Sequence, residues 1–323
     1  MKLKILELFG GIGACSKALK RLGIDYEIVD YVEIDKYAVK SFNAIHNTNF
    51  EPQDICGWDK DIEVDLIMHG SPCQDFSLAG KQAGGDIGSG TRSSLMYETI
   101  RIVEKLKPKY VIWENVKNLL SKKHIHNFNA YLETMEQLGY TNYYQVLNAK
   151  DYGIPQNRER VFTISIKKDI NKAFTFPQKQ ELKLKLKDML EDEVDEKYYL
   201  SENMIKYISA DNEKWTGNND KSLINKTIAS AINTGEGHRR CDASNYISKQ
   251  AKDNQDIKFE NINKIRKLTP KECWRLMGFD DEDYEKASKV NSNTQLYKQA
   301  GNSIVVNVLE AIFKELLWQV KKD

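Results

Sequence analysis

The sequence has no run of about 18 uninterrupted apolar residues, so we do not expect it to span a membrane. Near its N-terminus it lacks the long apolar segment and small-residue cleavage site of a secretory signal. Its 5 cysteines are odd in number and include no C-x-x-C pair. This pattern argues against a disulfide framework or a zinc ribbon, and it favours a reduced, cytoplasmic protein.

An excess of charge of one sign is also missing. The 48 Lys and Arg residues almost balance the 47 Asp and Glu residues, for a formal net charge of +1. This excludes a histone-like protein that coats polyanions, but it leaves open nucleic-acid binding through a local patch. Hydrophobic residues make up 41% of the 323 residues, which is enough for a packed core and excludes wholesale disorder. The length predicts about two domains.

The first half of the chain alternates short apolar runs with helical patterns. The apolar runs predict strands at 5–9, 28–33, 66–69, 110–114, 145–147 and 161–166. Helices are predicted at 16–22, 36–44, 94–106 and 128–138. Such alternation predicts an α/β fold with a Rossmann-like, mostly parallel sheet that is covered by helices on both faces.

The composition changes near Pro177. From there to about Asn263 the chain is rich in Lys, Asn, Asp, Glu and Ser, which predicts a small irregular domain or a long insertion. A short helix is predicted at 269–277 with Pro270 in its first turn, and an amphipathic helix is predicted from about Ser303. We therefore predict one domain from 1–175 plus 291–323 and a smaller inserted domain at 176–290.

A glycine-rich turn, FGGIG at 9–13, follows the first predicted strand. Glycines allow a tight turn and close approach of the backbone to a ligand. Glu33 lies 20 residues after Gly13, where an acid can accept hydrogen bonds from ribose hydroxyls. The third glycine of G-x-G-x-x-G is missing, which favours a nucleoside ligand without a pyrophosphate, most commonly S-adenosylmethionine. A structural turn with a capped helix is the alternative.

Cys73 follows the third predicted strand. Open parallel sheets bind ligands at the carboxyl ends of their strands, so this thiol lies where chemistry is expected. Pro72 fixes the backbone just before the thiol, and the glycine-rich stretch at 75–92 is typical of a mobile lid. The alternative is a small buried cysteine.

Charged side chains occur at two further strand ends. Glu114 ends the fourth predicted strand and can face the same cleft as Cys73; a helix cap or a surface ion pair is the alternative. Arg158 and Arg160 are spaced to share one face of a strand, where they could bind a phosphate or a carbonyl oxygen. A solvated edge strand would explain them equally well. We find no cluster of metal ligands, and we expect His124 and His126 on the surface.

Nine motifs, in order and at compatible spacings, resemble those of bacterial and phage cytosine-C5 DNA methyltransferases over nearly the whole chain except about 176–262. They are FGGIG at 9–13, Glu33, Asp54-Ile55, Pro72-Cys73-Gln74 with Phe76-Ser77, Arg92 with Leu95, Glu114-Asn115-Val116, Gln156 with Arg158 and Arg160, RKLTP at 266–270 with Glu272 and Met277-Gly278-Phe279, and QAGNS at 299–303. Gln53 and Ser93 stand where the family usually has glycine.

The resemblance implies the fold of S-adenosylmethionine-dependent methyltransferases and that compound as the cofactor. It implies a cofactor site made of Phe9, Gly11, Gly13, Glu33, Ile34, Asp54, Ile55, Asn302 and Ser303. Within it, Glu33 would bind the ribose and Asp54 the adenine amino group.

The resemblance also implies covalent catalysis. The Cys73 thiolate would attack C6 of cytosine, which places electron density at C5. Glu114 would protonate N3 or donate a hydrogen bond to it, Arg160 would hold O2, and Arg158 would support the site. A stacked base cannot reach such a site, so base flipping is implied, with the 80–90 segment closing over the duplex.

Target recognition would fall to the inserted domain, and the partner would be double-stranded DNA. Candidate DNA contacts are Gln74, Ser77, Arg92, Lys226, Thr227, Arg239 and Arg240. The last four either read bases or contact only phosphate. We expect a monomer of bacterial or phage origin, with or without a cognate restriction endonuclease that acts on the same site without contacting it. Open alternatives are a tRNA cytosine-C5 methyltransferase, a catalytically silent nucleic-acid-binding protein and a Rossmann dehydrogenase.

Overall fold

The chain forms two compact units in a computed structural model. The structure describes residues 2–71, 95–209, 224–237, 245–248 and 264–317. The first unit comprises Met1–Asn148, Glu159–Lys179 and Ile304–Asp323, and the second comprises Ala149–Arg158 and Gln180–Ser303.

Ten strands and nine α-helices lie in the described part of the chain. The strands are β1 (Leu3–Leu8), β2 (Tyr26–Val32), β3 (Leu66–His69), β4 (Tyr110–Val116), β5 (Tyr140–Asn148), β6 (Gln156–Asn157), β7 (Glu159–Lys167), β8 (Ala229–Ser230), β9 (Tyr246–Ser248) and β10 (Ile265–Lys267). The helices are α1 (Ala14–Arg21), α2 (Lys36–His46), α3 (Met96–Leu106), α4 (Ile125–Gln137), α5 (Glu202–Ser209), α6 (Pro270–Leu276), α7 (Asp281–Ser288), α8 (Asn293–Asn302) and α9 (Val306–Leu317).

The first unit is built on a six-stranded sheet in the order β2-β1-β3-β4-β7-β5. The pairings among β1 to β4 are parallel, whereas β7 pairs antiparallel with both β4 and β5. All six predicted strands and the four predicted helices of this half are confirmed, with bounds that differ by a few residues. The α/β fold and the mostly parallel sheet are therefore confirmed.

The sheet is buried on both faces. Ile5 and Leu6 are neighbours on β1 and point to opposite faces, yet both are fully buried. On one side Trp113 of β4 lies in a core cluster with Phe128 and Tyr131 of α4. The expected amphipathic helix near Ser303 is α9, which packs against α1. Helices thus cover the sheet as the alternating pattern predicts.

The second unit contains two small sheets and the helices α5 to α8. Strand β6 pairs parallel with β8, and β9 pairs antiparallel with β10. The predicted helix at 269–277 is confirmed as α6: Pro270 is in its first turn, and Thr269 and Glu272 form a reciprocal capping box. The described residues of this region thus include short strands and helices, and the inserted domain stays a prediction.

The contact-based division differs from the predicted domain boundaries after 175 and before 291. Helix α8 was expected with the first domain but belongs to the second unit. The reason is that α8 packs on α6: Trp274 Nε1 donates to the Leu296 carbonyl at 3.0 Å, and the Tyr297 hydroxyl donates to the Leu268 carbonyl. Residues 149–158 also belong to the second unit, through the pairing of β6 with β8.

One surface prediction was half wrong. His126 is exposed, but His124 is only 1% exposed. His124 caps the start of α4, and that helix packs against the 3-10 helix Lys117–Leu120. In the described residues, no helix is both long enough and apolar enough to cross a membrane.

A buried ion pair organises the second unit. The Arg266 guanidinium donates to both carboxylate oxygens of Glu272, at 2.8 and 2.7 Å. The same carboxylate accepts from the main-chain N–H groups of Thr269 and Glu191, at 2.8 and 2.9 Å. Both side chains are almost fully buried. Removing one partner therefore leaves an uncompensated buried charge.

We expect Arg266→Met to destabilise the protein by about 3–5 kcal/mol, because Glu272 loses its counterion in a buried position. The urea midpoint of unfolding measures this. Lys264→Met is the matched control, since the Lys264–Glu196 pair is exposed, and it should change stability by less than about 1 kcal/mol. Equal effects of the two substitutions would contradict the assignment.

Glu7 is a second buried charge, on β1 under the start of α1. It is 2% exposed, and its Oε1 accepts from the main-chain N of Ser16 at 3.1 Å and from the Ser16 hydroxyl. Burial raises the pKa of Glu7 to about 7, although the bonds from Ser16 oppose the shift. The carboxyl group thus joins β1 to the first turns of α1, at the cost of an unfavourable charge above neutral pH.

This raised pKa predicts a pH-dependent stability. The folded state binds the proton of Glu7 more tightly than the unfolded chain, so this contribution is fully present below the ordinary pKa of 4.5 and is lost as the pH rises to about 7. We expect Glu7→Gln, which keeps the acceptor oxygen, to gain about 2–3 kcal/mol relative to the parent between pH 4.5 and pH 8. Parallel stability curves for the two proteins over that range would refute this.

Candidate active site

The glycine loop at 9–13 joins β1 to α1 through left-handed backbone conformations. Phe9, Gly11 and Gly13 have φ angles of 53°, 54° and 81°. A Cβ atom on Gly13 would lie 2.2 Å from Nε2 of His46, so this position accepts only glycine. A Cβ atom on Gly11 would meet nothing within 4 Å, and the Gly11 carbonyl accepts from the Tyr31 hydroxyl at 2.6 Å. The Tyr31 hydroxyl therefore holds the main chain of the loop, and the side of Gly11 that would carry a Cβ atom faces empty space.

Glu33 follows β2 and lies against this loop. Its Oε2 accepts from the Gly11 main-chain N at 3.1 Å, and its Oε1 accepts from the Asp35 main-chain N at 2.8 Å. Burial raises the pKa of Glu33, while these two hydrogen bonds oppose the shift. The next side chain, Ile34, is 69% exposed. The Glu33 carboxylate can accept hydrogen bonds from ribose hydroxyls, and the exposed Ile34 side chain beside it can pack on the ring of a base. The two residues together therefore fit a nucleoside.

Asp54 is held near Glu33 by a main-chain hydrogen bond of the residue before it, Gln53. The N of Gln53 donates to the Glu33 carbonyl at 2.9 Å. Asp54 is exposed and caps the 3-10 helix Ile55–Gly57, where its Oδ1 accepts from the Cys56 N at 3.0 Å. Ile55 is buried in the hydrophobic core and so anchors the turn. The first seven predicted cofactor residues thus lie on three neighbouring segments of the first unit.

The other two predicted cofactor residues belong to the second unit. Asn302 ends α8 and is exposed, and Ser303 is 7% exposed.

The segment that leads to Cys73 is held by β4. Ser71 Oγ accepts from Trp113 Nε1 at 3.0 Å, and the Ser71 carbonyl accepts from Asn115 Nδ2 at 3.3 Å. Cys73 itself lies outside the described residues. So do the candidate DNA contacts Gln74, Ser77, Arg92, Arg239 and Arg240.

Glu114 and Arg160 form an ion pair at this edge of the sheet. Strands β4 and β7 are antiparallel there, with Val116 opposite Arg160, and Arg160 Nε lies 3.1 Å from Glu114 Oε1. The Arg160 side chain is 21% exposed and the Glu114 side chain is 11% exposed. A Cβ atom on Gly70 would lie 3.8 Å from Glu114 Oε2, so the carboxylate lies beside the end of β3. The structure brings together Glu114, Arg160 and the segment that leads to Cys73.

Arg158 has a different environment from Arg160. It lies between β6 and β7, so the two arginines do not share one uninterrupted strand as predicted. Its guanidinium is 4% exposed and donates to the carbonyls of Ile232, Gly301 and Ser303, at 2.7, 3.0 and 2.9 Å. All of these residues belong to the second unit, where Arg158 holds main chain in place.

Of the candidate base readers, the structure describes Lys226 and Thr227. Lys226 is half-buried and its Nζ donates to Ser230 Oγ at 2.7 Å. Thr227 is exposed, and its carbonyl accepts from the Leu186 N at 2.8 Å. In the described ranges, no group of three or more His, Cys, Asp and Glu side chains could hold a metal ion.

Sequence reasoning missed three residues that support the site. Tyr31 fixes the glycine loop, while Ser71 and Trp113 fix the approach to Cys73. None of them belongs to a motif that names a chemical role. The one available signal is that Tyr31 and Trp113 are aromatic residues with a polar group in predicted strands, where a buried N–H or O–H needs a partner.

Comparison with known proteins agrees with this geometry. A family model described as C-5 cytosine-specific DNA methylase matches residues 3–318. The type II methyltransferase M2.ScrFI of Lactococcus lactis subsp. cremoris is 38% identical over 97% of this chain and 99% of its own. The orphan methyltransferase M.SPRI of Bacillus phage SPR is 33% identical over 98% of each chain. The crystal structure of the S. pombe Dnmt2 methyltransferase matches with a TM-score of 0.74 at 22% identity, covering 99% of this chain and 100% of that one, and this supports the fold.

These matches favour DNA over tRNA and disfavour a dehydrogenase or a silent scaffold. The residues around Gly11 and Glu33 fit an adenosine-containing methyl donor. The chain belongs to the C-5 cytosine-specific DNA methylases, and it is an enzyme that transfers the methyl group of S-adenosylmethionine to C5 of cytosine in DNA.

Proposed function

We propose that this methyltransferase works through Cys73 as the nucleophile, Glu114 as the group that acts on N3 of cytosine, and Arg160 as the group that holds O2. The observation that carries the proposal is the position of the Glu114 carboxylate, which is paired with Arg160 and lies beside Gly70. Gly70 is only three residues before Cys73 in the chain. Three motifs that are far apart in sequence thus meet at one sheet edge: the Glu114 carboxylate, the Arg160 guanidinium and the segment that leads to Cys73.

The proposed chemistry follows from these groups. The Cys73 thiolate forms a bond to C6 of a flipped cytosine, and the ring electrons shift toward C5. Glu114 donates a proton or a hydrogen bond to N3, and Arg160 donates to O2, so both stabilise the ring as charge develops on it. C5 would then take the methyl group of the bound donor. A base next removes the proton that remains on C5, the Cys73–C6 bond breaks to release the thiolate, and any proton held at N3 returns to Glu114. Arg160 also fixes the orientation of Glu114 through their ion pair, in which Glu114 is a carboxylate. Glu114 must therefore take up a proton before it can donate to N3.

Cofactor binding is assigned to the first unit. S-adenosylmethionine supplies the methyl group when it is bound. The Glu33 carboxylate would accept from the ribose hydroxyls, Ile34 would pack on the adenine, and Asp54 would accept from its amino group. Gly11 leaves open space for the ligand at the start of α1. Phe9, Gly13 and Ile55 shape this site, and Asn302 and Ser303 are proposed to complete it.

Target recognition is assigned to the second unit. Its candidate base readers are Lys226, Thr227, Arg239 and Arg240, and Gln74, Ser77 and Arg92 are further candidate DNA contacts. Arg158 is proposed to act as a positioning residue, through the main chain that it binds at Ile232, Gly301 and Ser303. We propose a monomer that acts in the cytoplasm on double-stranded DNA. Where a cognate restriction endonuclease exists, the two enzymes would share the site without touching each other.

The direct test is bisulfite sequencing of plasmid DNA from cells that express the protein. We expect protected cytosines in one short sequence context, no protection with Cys73→Ala, and a loss of activity of roughly a hundredfold or more with Glu114→Gln. Lys289→Ala is the control, because Lys289 caps the end of α7 and belongs to none of the nine motifs, and it should protect DNA like the parent.

Three results would count against the proposal. Full protection by Cys73→Ala would exclude this cysteine as the nucleophile. Full activity of Glu114→Gln would exclude proton donation to N3, and full activity of Glu114→Ala would exclude a hydrogen bond to N3 as well, since alanine has no donor. All three variants should still bind S-adenosylhomocysteine in calorimetry, which separates loss of catalysis from loss of folding.

The cofactor assignment predicts that Gly13→Ala weakens binding of S-adenosylhomocysteine by roughly tenfold or more. The added Cβ would collide with His46 and Phe42 and displace the loop. Titration calorimetry measures the affinity.

Gly23→Ala is the matched control for this change. Gly23 also has a positive φ, of 63°, but a Cβ atom there meets nothing within 4 Å. It should lose roughly 1 kcal/mol of stability and no cofactor affinity. An unchanged affinity in Gly13→Ala would remove the glycine loop from the proposed site.

A further inference from the structure

Asp30 is a buried acid that no motif of the chain explains. It lies on β2 and is 3% exposed. Its Oδ2 accepts from Trp58 Nε1 at 2.7 Å and pairs with Lys60 Nζ at 2.7 Å. Its Oδ1 accepts from Gln53 Nε2 at 3.0 Å. We call Asp30, Gln53, Trp58 and Lys60 the Asp30 cluster.

The Asp30 cluster holds both ends of one short segment. Gln53 stands at the start of the 53–60 segment, and Trp58 and Lys60 stand at its end. Gln53 is held three times: its Nε2 donates to Asp30 and to the Tyr31 carbonyl at 2.7 Å, and its main-chain N donates to the Glu33 carbonyl at 2.9 Å. Between these anchors Asp54, Cys56 and Gly57 are exposed, and Asp54 is the one of the three that has a charged side chain.

Gln53 is a departure of this chain from the pattern that it resembles, which usually has glycine there. A glycine could keep the main-chain bond to Glu33 but could make neither side-chain bond. Asp30 and Gln53 therefore act together. Burial opposes the charge on Asp30, yet hydrogen bonds from Lys60, Trp58 and Gln53 keep its pKa below the usual value, so the acid stays ionised.

We propose that Asp30 and Gln53 are positioning residues for adenine recognition, which orient Asp54 so that its carboxylate selects the amino group of the adenine ring. The inference rests on the proposed function, which assigns Asp54 to that amino group. Neither residue touches the cofactor in this scheme. Each acts by fixing the main chain immediately before Asp54 and the turn immediately after it.

The segment has anchors that do not depend on Asp30, so the expected effect is on orientation rather than on folding. Ile55 is buried in the core, at 4% exposure. Arg101 donates to the Ile55 carbonyl at 3.0 Å, and Lys105 donates to the Asp59 carbonyl at 2.9 Å. Without Asp30 the turn would stay on the core while its outer residue, Asp54, loses its fixed direction.

The test compares two ligands, S-adenosylhomocysteine and its deaminated analogue S-inosylhomocysteine, by titration calorimetry on the full chain. In the analogue a carbonyl oxygen on C6 replaces the amino group and would face the Asp54 carboxylate. We expect the parent to prefer the adenine ligand by roughly tenfold or more. Asp30→Asn and Gln53→Gly should each reduce this preference by about threefold or more, because Asp54 is no longer held.

A purely structural role would weaken both ligands equally and leave their ratio unchanged. Asp65→Asn is the matched control, since Asp65 is also a largely buried acid that accepts from Lys109 Nζ and from the Lys4 main-chain N, at 2.8 and 2.9 Å. Asp65 comes just before β3, at the edge of the sheet opposite to the one that holds Glu33, so Asp65→Asn should keep the parental ratio of the two affinities. If Asp30→Asn and Gln53→Gly also keep the parental ratio, the inference is wrong.

Asp54→Asn separates this inference from the proposal beneath it. If Asp54→Asn keeps the full preference for adenine, the assignment of Asp54 in the proposed function is itself wrong. If it loses the preference, Asp30→Asn added to it should cause no further change in the ratio, because the two residues act through one contact. Independent, additive losses would overturn the positioning role. Gln53→Gly remains informative if Asp30→Asn fails to fold.

Discussion

The proposed cofactor site depends on the hydrogen bonds of a single residue, Glu33. Its carboxylate accepts from the Gly11 N on the loop after β1, and its main-chain carbonyl accepts from the Gln53 N on the segment before Asp54. One residue at the end of β2 thus joins the ends of three segments. Because Gly11 and Gly13 have positive φ angles, the loop would lose its shape without such fixed partners. The rest of the site is arranged around this junction.

The sheet explains why the proposed catalytic groups lie at one edge. Strands β3 and β4 are parallel, so Gly70 and Glu114 follow them at the same end. Strand β7 is antiparallel to β4, and its first residues, not its last, therefore reach that end, which places Arg160 opposite Val116. A fully parallel sheet would put the arginine at the far edge. Because β7 runs opposite to β4, Glu114 near the end of β4 can form an ion pair with Arg160 near the start of β7.

Much of this could be predicted from the sequence, because it depends on local pattern. Apolar runs located all six strands of the main sheet, and spacing placed Glu33 opposite the glycine loop. What could not be predicted depends on contacts between distant segments. His124 is buried at the start of α4, and α8 joins the second unit because Trp274 of α6 donates to the Leu296 carbonyl and Tyr297 of α8 donates to the Leu268 carbonyl. Arg158 belongs to the same motif as Arg160, yet its hydrogen-bond partners are main-chain carbonyls more than 70 residues away in the sequence.

The sequence likewise could not reveal what holds the motif carboxylates. Glu33 and Asp54 receive main-chain N–H groups from Gly11, Asp35 and Cys56, which orient a carboxylate without cancelling its charge. Glu114 instead receives a guanidinium from Arg160, which does cancel it. The distinction would suit the ligands proposed for the two sites: the methyl donor is a sulfonium cation, which a negative site attracts, whereas the cytosine ring is neutral and gains negative charge as it reacts. The N–H donors come from the backbone, which any sequence carries, so only the folded chain distinguishes the two kinds of acid.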